Sequence, residues 1–253
     1  MSLSNKVALV TGASSGIGAA IAILFAQEGA DVAIVGRNEA KLNNVQKQIE
    51  KTGKKPLIIK ADVSDDENAK AIVQKTVNRF GKLDILVNNA GFSRNGNILD
   101  GTVIQAFDEI MKTNLRAVVV LTSLAAPHLV KTKGNIINIS SVGSVLPPIA
   151  PSFISYDVSK AALDHFTRGA AVELAASGIR VNSVNPGPVR TDFVENAGMG
   201  DHALYDTFGA MTLLGRVSES HEIADLVLFL TSDKAKGITG SIFITDNGTQ
   251  LKR

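Results

Sequence analysis

The 253-residue sequence has no cysteine and no tryptophan, and aromatic residues make up only 5% of it. Without cysteine there is no disulfide framework, no thiol nucleophile and no thiolate metal site. That composition fits a reducing compartment and leads us to expect a cytoplasmic protein. Charge is equally unmarked, with 26 basic and 24 acidic residues spread along the chain for a net +2. Nucleic-acid binding calls for clustered Lys/Arg and aromatic platforms, so no nucleic-acid partner is expected. The longest apolar runs fall short of the ~18 residues of a membrane span. The N-terminus lacks the charged-then-apolar architecture of a signal peptide, and the end Gln250-Leu-Lys-Arg253 is no peroxisomal address. No membrane partner is expected. The histidines, His128, His165, His202 and His221, are scattered without ligand-like spacing, which predicts no metal site and no histidine-based nucleophile system. Asp65 and Asp66 read as charges at a helix start, not as a hydrolytic dyad.

What is present is an ordinary globular composition, 45% apolar and 20% charged. There is no repeat, low-complexity tract or linker, so residues 1–253 are read as a single domain. Apolar runs at 7–11, 31–35, 56–61, 83–87, 135–140, 179–184 and 240–245 are hydrophobic on successive positions. Strands covered by helices on both faces have this pattern. Helical stretches lie between them: 19–28 ending at Gly29, 38–51, one opened by a Ser64-Asp-Asp-Glu67 capping box and closed by Gly81, then 105–131 and 154–176. The fold class is α/β, a doubly wound Rossmann fold with a seven-stranded, mainly parallel sheet and helices on both faces. The irregular stretch 186–215, with three glycines after Asn196, has the length of a functional lid.

The first strand runs into Thr11-Gly-Ala-Ser-Ser-Gly-Ile-Gly18 and then a helix. Such a turn presents unpaired backbone N–H groups and the positive end of a helix dipole to a phosphate. Gly12, Gly16 and Gly18 permit the tight turn, close ligand approach and close helix–strand packing. Ser14, Ser15 and Ile17 lie on the same loop.

This turn resembles that of the short-chain dehydrogenase/reductase family, and further marks of the family follow in order. They are Asp62-Val63, Asn88-Asn-Ala-Gly91, Asn114, Ser141, Tyr156-x-x-x-Lys160 and Asn185-Pro-Gly-Pro-Val-Arg-Thr191, so that the resemblance covers residues from about 6 to 248. The resemblance implies an enzyme acting on a C=O or CH–OH group with a nicotinamide cofactor. It also implies that Asp62 and Val63 flank the adenine and that Asn88, Ala90 and Gly91 pack along the cofactor. It further implies that Pro186 and Gly187 form a cofactor turn, with Val189 and Thr191 at the nicotinamide carboxamide. Asn114 would link the active-site lysine to a proton-carrying water, and assembly as a homodimer or homotetramer would be usual.

Where a NAD-preferring dinucleotide fold carries an acidic residue, the second strand ends Val35-Gly36-Arg37-Asn38. Arg37, beside Asn38, offers a bidentate donor for a 2′-phosphate, so NADP(H) is expected over NAD(H). Ser14 and Ser15 stand where many NADP-users have a second basic residue.

Tyr156 and Lys160, four apart on a helix, share one face. A cation one turn away lowers a phenol's pKa, so Tyr156 is expected to be acidified by Lys160 and to exchange a proton with the substrate oxygen. Ser141 is the expected third member, polarising that oxygen, with Ser144 as the alternative. Ser141 precedes Tyr156 by fifteen positions, more than is usual in the family, and Pro147, Pro148 and Pro151 lie between them.

A lid at about 188–215 carries Phe193, Val194, Met199, Leu204, Tyr205, Phe208 and Met211, facing Val145, Leu146, Ile149 and Phe153. This predicts a largely apolar small-molecule ketone such as a steroid, lipid or xenobiotic carbonyl, or the matching alcohol. A 3-oxoacyl thioester is the alternative. Two further readings are weaker. A nucleotide-sugar epimerase would carry a different glycine spacing and a larger C-terminal domain, and a non-catalytic NADP(H) sensor would typically lose Tyr156 or Lys160.

Overall fold

The computed structural model describes residues 2–196 and 204–252. Seven apolar runs form one sheet: β1 (Val7–Thr11), β2 (Asp31–Gly36), β3 (Leu57–Lys60), β4 (Ile85–Asn88), β5 (Asn135–Ile139), β6 (Arg180–Pro186) and, after two short strands of the lid region, a last strand Ile242–Thr245. Their order is β3-β2-β1-β4-β5-β6 and then that last strand. Every pairing is parallel, so the sheet is fully rather than mainly parallel. Alternation within strands feeds two cores. Ala8 and Val10 of β1 point to the face holding Phe25, Val227 and Leu230. Val7 and Leu9 point to the face holding Ile72, Leu121 and Leu129. Each Leu, Ile or Phe buried in this way contributes about 1.5–3 kcal/mol.

The first helices follow their punctuation. Helix α1 (Gly16–Gln27) starts earlier than the predicted 19–28, because the turn's Gly16 and Gly18 already belong to it, and Gly29 follows it at φ 93°. Helix α2 (Glu39–Glu50) is capped by Asn38, whose side chain accepts from the Lys41 N–H at 3.0 Å. The expected Ser64 capping box does not form. Asp65 caps α3 (Asp66–Phe80) instead, accepting from Asn68 N–H, while Ser64 donates its N–H to Asp62. Gly81 ends α3 at φ 80°.

The predicted helix 105–131 is three pieces: α4 (Val103–Met111), a π-helical turn Lys112–Arg116, and α5 (Ala117–Thr132) with Pro127 inside it. By length and composition alone, the whole stretch 103–132 passes as a membrane-crossing helix, which the residue runs had not suggested. Here Leu121, Ala125 and Leu129 bury against the sheet and α3. Helix α6 (Ile154–Leu174) follows β5. The stretch after β6 is not one loop. It holds β7 (Val189–Arg190), α7 (Phe193–Asn196) and α8 (Leu204–Ala210), and β7 pairs with β8 (Ser218–Glu219). Helix α9 (Ser220–Thr231), not among the helices expected from the sequence, opens with a Glu219–Glu222 capping box and buries Ile223, Val227 and Leu230. It precedes β9, the edge strand Ile242–Thr245.

From β1 the chain winds outward through β2 and β3, then returns to β4 on the other side of β1 and winds away. The crevice at the C-terminal ends of β1 and β4 is therefore the topological switch point, where open α/β sheets bind ligands.

Candidate active site

The glycine turn is pinned to β4. Thr11 Oγ1 accepts the N–H groups of Asn89 (3.0 Å) and Ala90 (3.1 Å), and Asn89 Nδ2 donates to the carbonyls of Thr11 and Gly12. This closeness explains the glycines. A Cβ on Gly12 (φ 63°) would lie 2.7 Å from Asn89 Nδ2, and one on Gly18 would lie 2.4 Å from both that atom and the Gly12 carbonyl oxygen. Gly16, at φ 56°, abuts the Thr191 side chain. Helix α1 has Ser15 at its N-cap position, with no side-chain cap bond and no acidic residue in its first turn. Its leading N–H groups and dipole are thus left for an external anion, which fits a dinucleotide pyrophosphate.

At the far end of the crevice, Arg37 is exposed on the rim and Gly36 lies against Ser14. Burial pushes the Asp62 carboxyl up, but hydrogen bonds from the Ser64 N–H and hydroxyl, with Arg37 and Lys112 behind them, hold it below its usual range. Asn38 is committed to capping α2 and does not line the crevice. Asn88 and Gly18 are buried behind it; the Asn88 amide donates to Asn138 Oδ1 at 2.9 Å.

Tyr156 and Lys160 stand one turn apart on α6, as their spacing predicts, with Lys160 Nζ 5.6 Å from the centre of the Tyr156 ring. The expected acidification of the phenol is absent. Lys160 Nζ donates to the Ile139 carbonyl at 2.9 Å instead. Although Tyr156 is only part-buried overall, burial pushes its phenol up to about 12, against a hydrogen bond with Ser141 that pulls it down. Burial likewise lowers Lys160 to about 8, opposed by the charge of Asp164. The Ser141 side chain accepts the Gly143 N–H at 3.1 Å and bonds to Tyr156, whereas Ser144 Oγ accepts from Asn185 Nδ2 at 2.9 Å. Asn114 sits in the π-helical turn and is fully buried. It exchanges hydrogen bonds with the Phe92 backbone and donates to Ser159 Oγ at 3.1 Å. Single π-turns of this kind recur at functional sites because they re-aim one side chain.

One cavity of about 380 Å³ joins these parts. It runs from Gly12, Ser14, Ser15, Gly16 and Ile17 past Asp62, Val63, Ala90 and Gly91 to Ser141, Tyr156 and Lys160, with Pro186, Gly187, Val189 and Thr191 along its side. Its inner wall is apolar: Leu146, Ile149, Phe153, Phe193, Val194, Phe208 and Met211. Phe153 and Phe193 flank Tyr156 with ring centroids at 6.2 and 5.5 Å. Of the predicted lid residues, Val145 and Leu204 do not line it, and Met199 lies outside the described residues. Tyr205 contributes polarity as well as bulk. Its hydroxyl donates to the Thr191 carbonyl and accepts the Thr191 N–H, tying α8 to the turn after β7.

Sequence reasoning missed two lining residues of consequence. Asn89 stands between Asn88 and Ala90 with no mark of its own in the sequence, yet its amide holds the glycine turn. Asp157, next to Tyr156, lines the cavity with a carboxyl that burial pushes up to about 7. It lies so close to Gly143 that a Cβ there would fall 2.1 Å from Asp157 Oδ1. Among the described residues, no cluster of His, Asp and Glu side chains is suited to a metal ion.

A family model described as Enoyl-(Acyl carrier protein) reductase matches residues 12–250. The chain is 35% identical over 249 residues to the 3-oxoacyl-[acyl-carrier-protein] reductase FabG of Thermotoga maritima, covering 98% of this chain and 99% of that one. Among solved structures, a short-chain dehydrogenase/reductase of unknown function from Caenorhabditis elegans, crystallised with cofactor, matches at a TM-score of 0.94 and 38% identity over 100% of this chain and 98% of that chain. A short chain dehydrogenase from Burkholderia cenocepacia J2315 in complex with NADP matches at a TM-score of 0.91 and 37% identity, over 99% and 100% of the two chains.

Proposed function

Because this chain belongs to the short-chain dehydrogenase/reductase family, and is an oxidoreductase, we propose that it is an NADPH-dependent reductase of 3-oxoacyl thioesters, with Tyr156 as proton donor. The observation that carries the reading is the single cavity, in which an open helix N-terminus, the Tyr156–Lys160–Ser141 group and an apolar wall are continuous. The α1 N-terminus and the glycine turn would hold the pyrophosphate. Arg37 would take the 2′-phosphate, with no carboxylate at Gly36 to repel it. The bound nicotinamide supplies the hydride.

The chain's own residues handle the oxygen and the proton. Ser141, already accepting from Gly143, turns its hydroxyl hydrogen toward the substrate oxygen and polarises it; Ser144 is engaged by Asn185. Tyr156 then gives its proton to that oxygen as negative charge develops. A phenol pushed up to about 12 stays protonated through the neutral range, as a proton donor must be. Lys160 holds positive charge beside the donor, and Asn114 anchors the Phe92 segment across from α6. Water is excluded by Phe153, Phe193 and Phe208, against which an acyl chain packs.

The similarity to the Thermotoga enzyme over nearly the full length of both chains supports the thioester. The apolar wall alone would equally take a free hydrophobic ketone, which is the second reading. NADPH consumption, followed by absorbance with a 3-oxoacyl thioester and a panel of steroid, aliphatic and aromatic ketones, separates them. We expect the thioester to have the higher kcat/KM by about tenfold, a difference of 1.4 kcal/mol in transition-state binding. The reverse ranking would move the assignment to the ketone. Tyr156→Phe should lower kcat by about 10²–10⁴ while NADPH still binds. Exposed Phe107, Val119, Val158 and Val172 on α4, α5 and α6 support assembly as a homodimer or homotetramer, which sedimentation tests.

A further inference from the structure

Behind the cavity lies a buried acid that touches no substrate-facing surface. Asp164 is on α6, one turn beyond Lys160, at 5% exposure. Its carboxylate accepts from Asn185 Nδ2 at 2.7 Å and from Ser183 Oγ at 3.1 Å. Asn185 and Ser183 are themselves fully buried on β6. The Asn185 amide spans two elements. Besides Asp164, its Nδ2 lies within hydrogen-bond distance of Ser144 Oγ (2.9 Å) and of the Ser141 carbonyl (3.2 Å), while its Oδ1 lies 2.6 Å from Ser183 Oγ. The loop that carries Ser141 is thus fastened through one side-chain amide to one buried negative charge. Lys160 is the cation on which that charge acts. A buried carboxylate is costly unless fully bonded and balanced, and packed apolar residues would fill the same space at lower cost.

We propose that Asp164 and Asn185 are positioning residues of the reaction centre: through the Asn185 amide, Asp164 sets the Ser141 loop, and from one turn along α6 its charge acts on Lys160. The proposal rests on the roles assigned above to Ser141 and Lys160. It adds two residues that act through them and predicts separable effects. Asp164→Asn keeps an acceptor for Asn185 and removes only the charge. Asn185→Leu leaves the charge and removes the fastening, as Ser144→Ala does more mildly from the loop side.

The test uses the full-length protein with NADPH. In Asp164→Asn, the Lys160 titration, read by NMR of lysine labelled with carbon-13 at Cε, should fall by about one unit. The basic limb of the kcat profile should move with it, while KM for NADPH stays within about twofold. Asn185→Leu should lower kcat about tenfold at unchanged KM for NADPH, with Ser144→Ala lowering it by a smaller factor in the same direction. An unmoved Lys160 titration in Asp164→Asn overturns the electrostatic half. Retention of wild-type kcat by Ser144→Ala and by a folded Asn185→Leu overturns the positioning half, and if Asn185→Leu fails to fold, Ser144→Ala decides alone. A wild-type protein that turns over no carbonyl substrate would sink the functional reading instead, and the Lys160 titration would still judge the link to Asp164.

Discussion

Tyr156 shows how one side chain departs from what its neighbours in sequence suggest. The spacing to Lys160 predicts an acidified phenol, but the burial of both groups is a tertiary property that spacing does not carry. The chain has two tyrosines and no tryptophan, so phenolate absorbance reports on Tyr156 and Tyr205 alone. We expect the component lost in Tyr156→Phe to titrate at about 12 in the ligand-free protein; a midpoint at or below 10 would contradict the burial account. Asp157 gives a second test at this scale. Its folded-state value of about 7 lies above its ordinary value of 3.8, so the folded protein holds the extra proton between those limits. The stability contributed is present at low pH and lost as pH rises from about 4 through 7. Asp157→Asn should therefore raise Tm relative to wild type at pH 8 and lose that advantage by pH 4, as read by thermal unfolding across the range.

Among the elements, the strand–turn–helix at the start of the chain is the most legible, because close backbone approach demands glycine and little else. Gly18→Ala places a methyl 2.4 Å from both the Gly12 carbonyl and the Asn89 amide. It should cost about 1–3 kcal/mol in urea unfolding and abolish measurable NADPH binding by calorimetry, since the turn must separate from β4. Gly36→Asp is a milder intrusion, with its Cβ 3.2 Å from that of Ser14. It should weaken NADPH and strengthen NADH until the ratio of their affinities shifts by about tenfold or more, as a carboxylate there repels the 2′-phosphate and accepts from the free ribose hydroxyls. Unchanged relative affinities would remove Arg37 from its role. Other elements were less legible for definite reasons. The π-helical turn at Asn114 has the composition of ordinary helix, and α9 is capped by Glu219, which is not a usual N-cap.

For the whole molecule, periodicity and punctuation identified all seven strands of the main sheet within a few residues, together with its fold class. The predicted strand ends miss where backbone pairing runs on past the apolar run, as at Asn185 and Pro186 of β6. The site followed the same division. Residues defined by backbone geometry were readable, whereas Asn89, Asp157 and Asp164 matter only because distant segments converge on them. Since the crevice at the switch point links both halves of the sheet, ligand binding should act on global stability. NADPH at about 100 times its Kd should add about 2.7 kcal/mol and raise Tm accordingly, whereas adenosine alone, lacking the phosphates that the α1 N-terminus receives, should add much less.

The contact between Gly143 and Asp157 also limits how this sequence can change over time. A side chain at 143 would collide with a carboxylate already in place, whereas a smaller residue at 157 would leave 143 open to substitution. Growth at 143 therefore requires the Asp157 carboxylate to turn away, and a shorter residue at 157 would permit it without that movement. Glycine at 143 and the present setting of the Asp157 carboxylate thus go together, so that a change at either position is felt at the other.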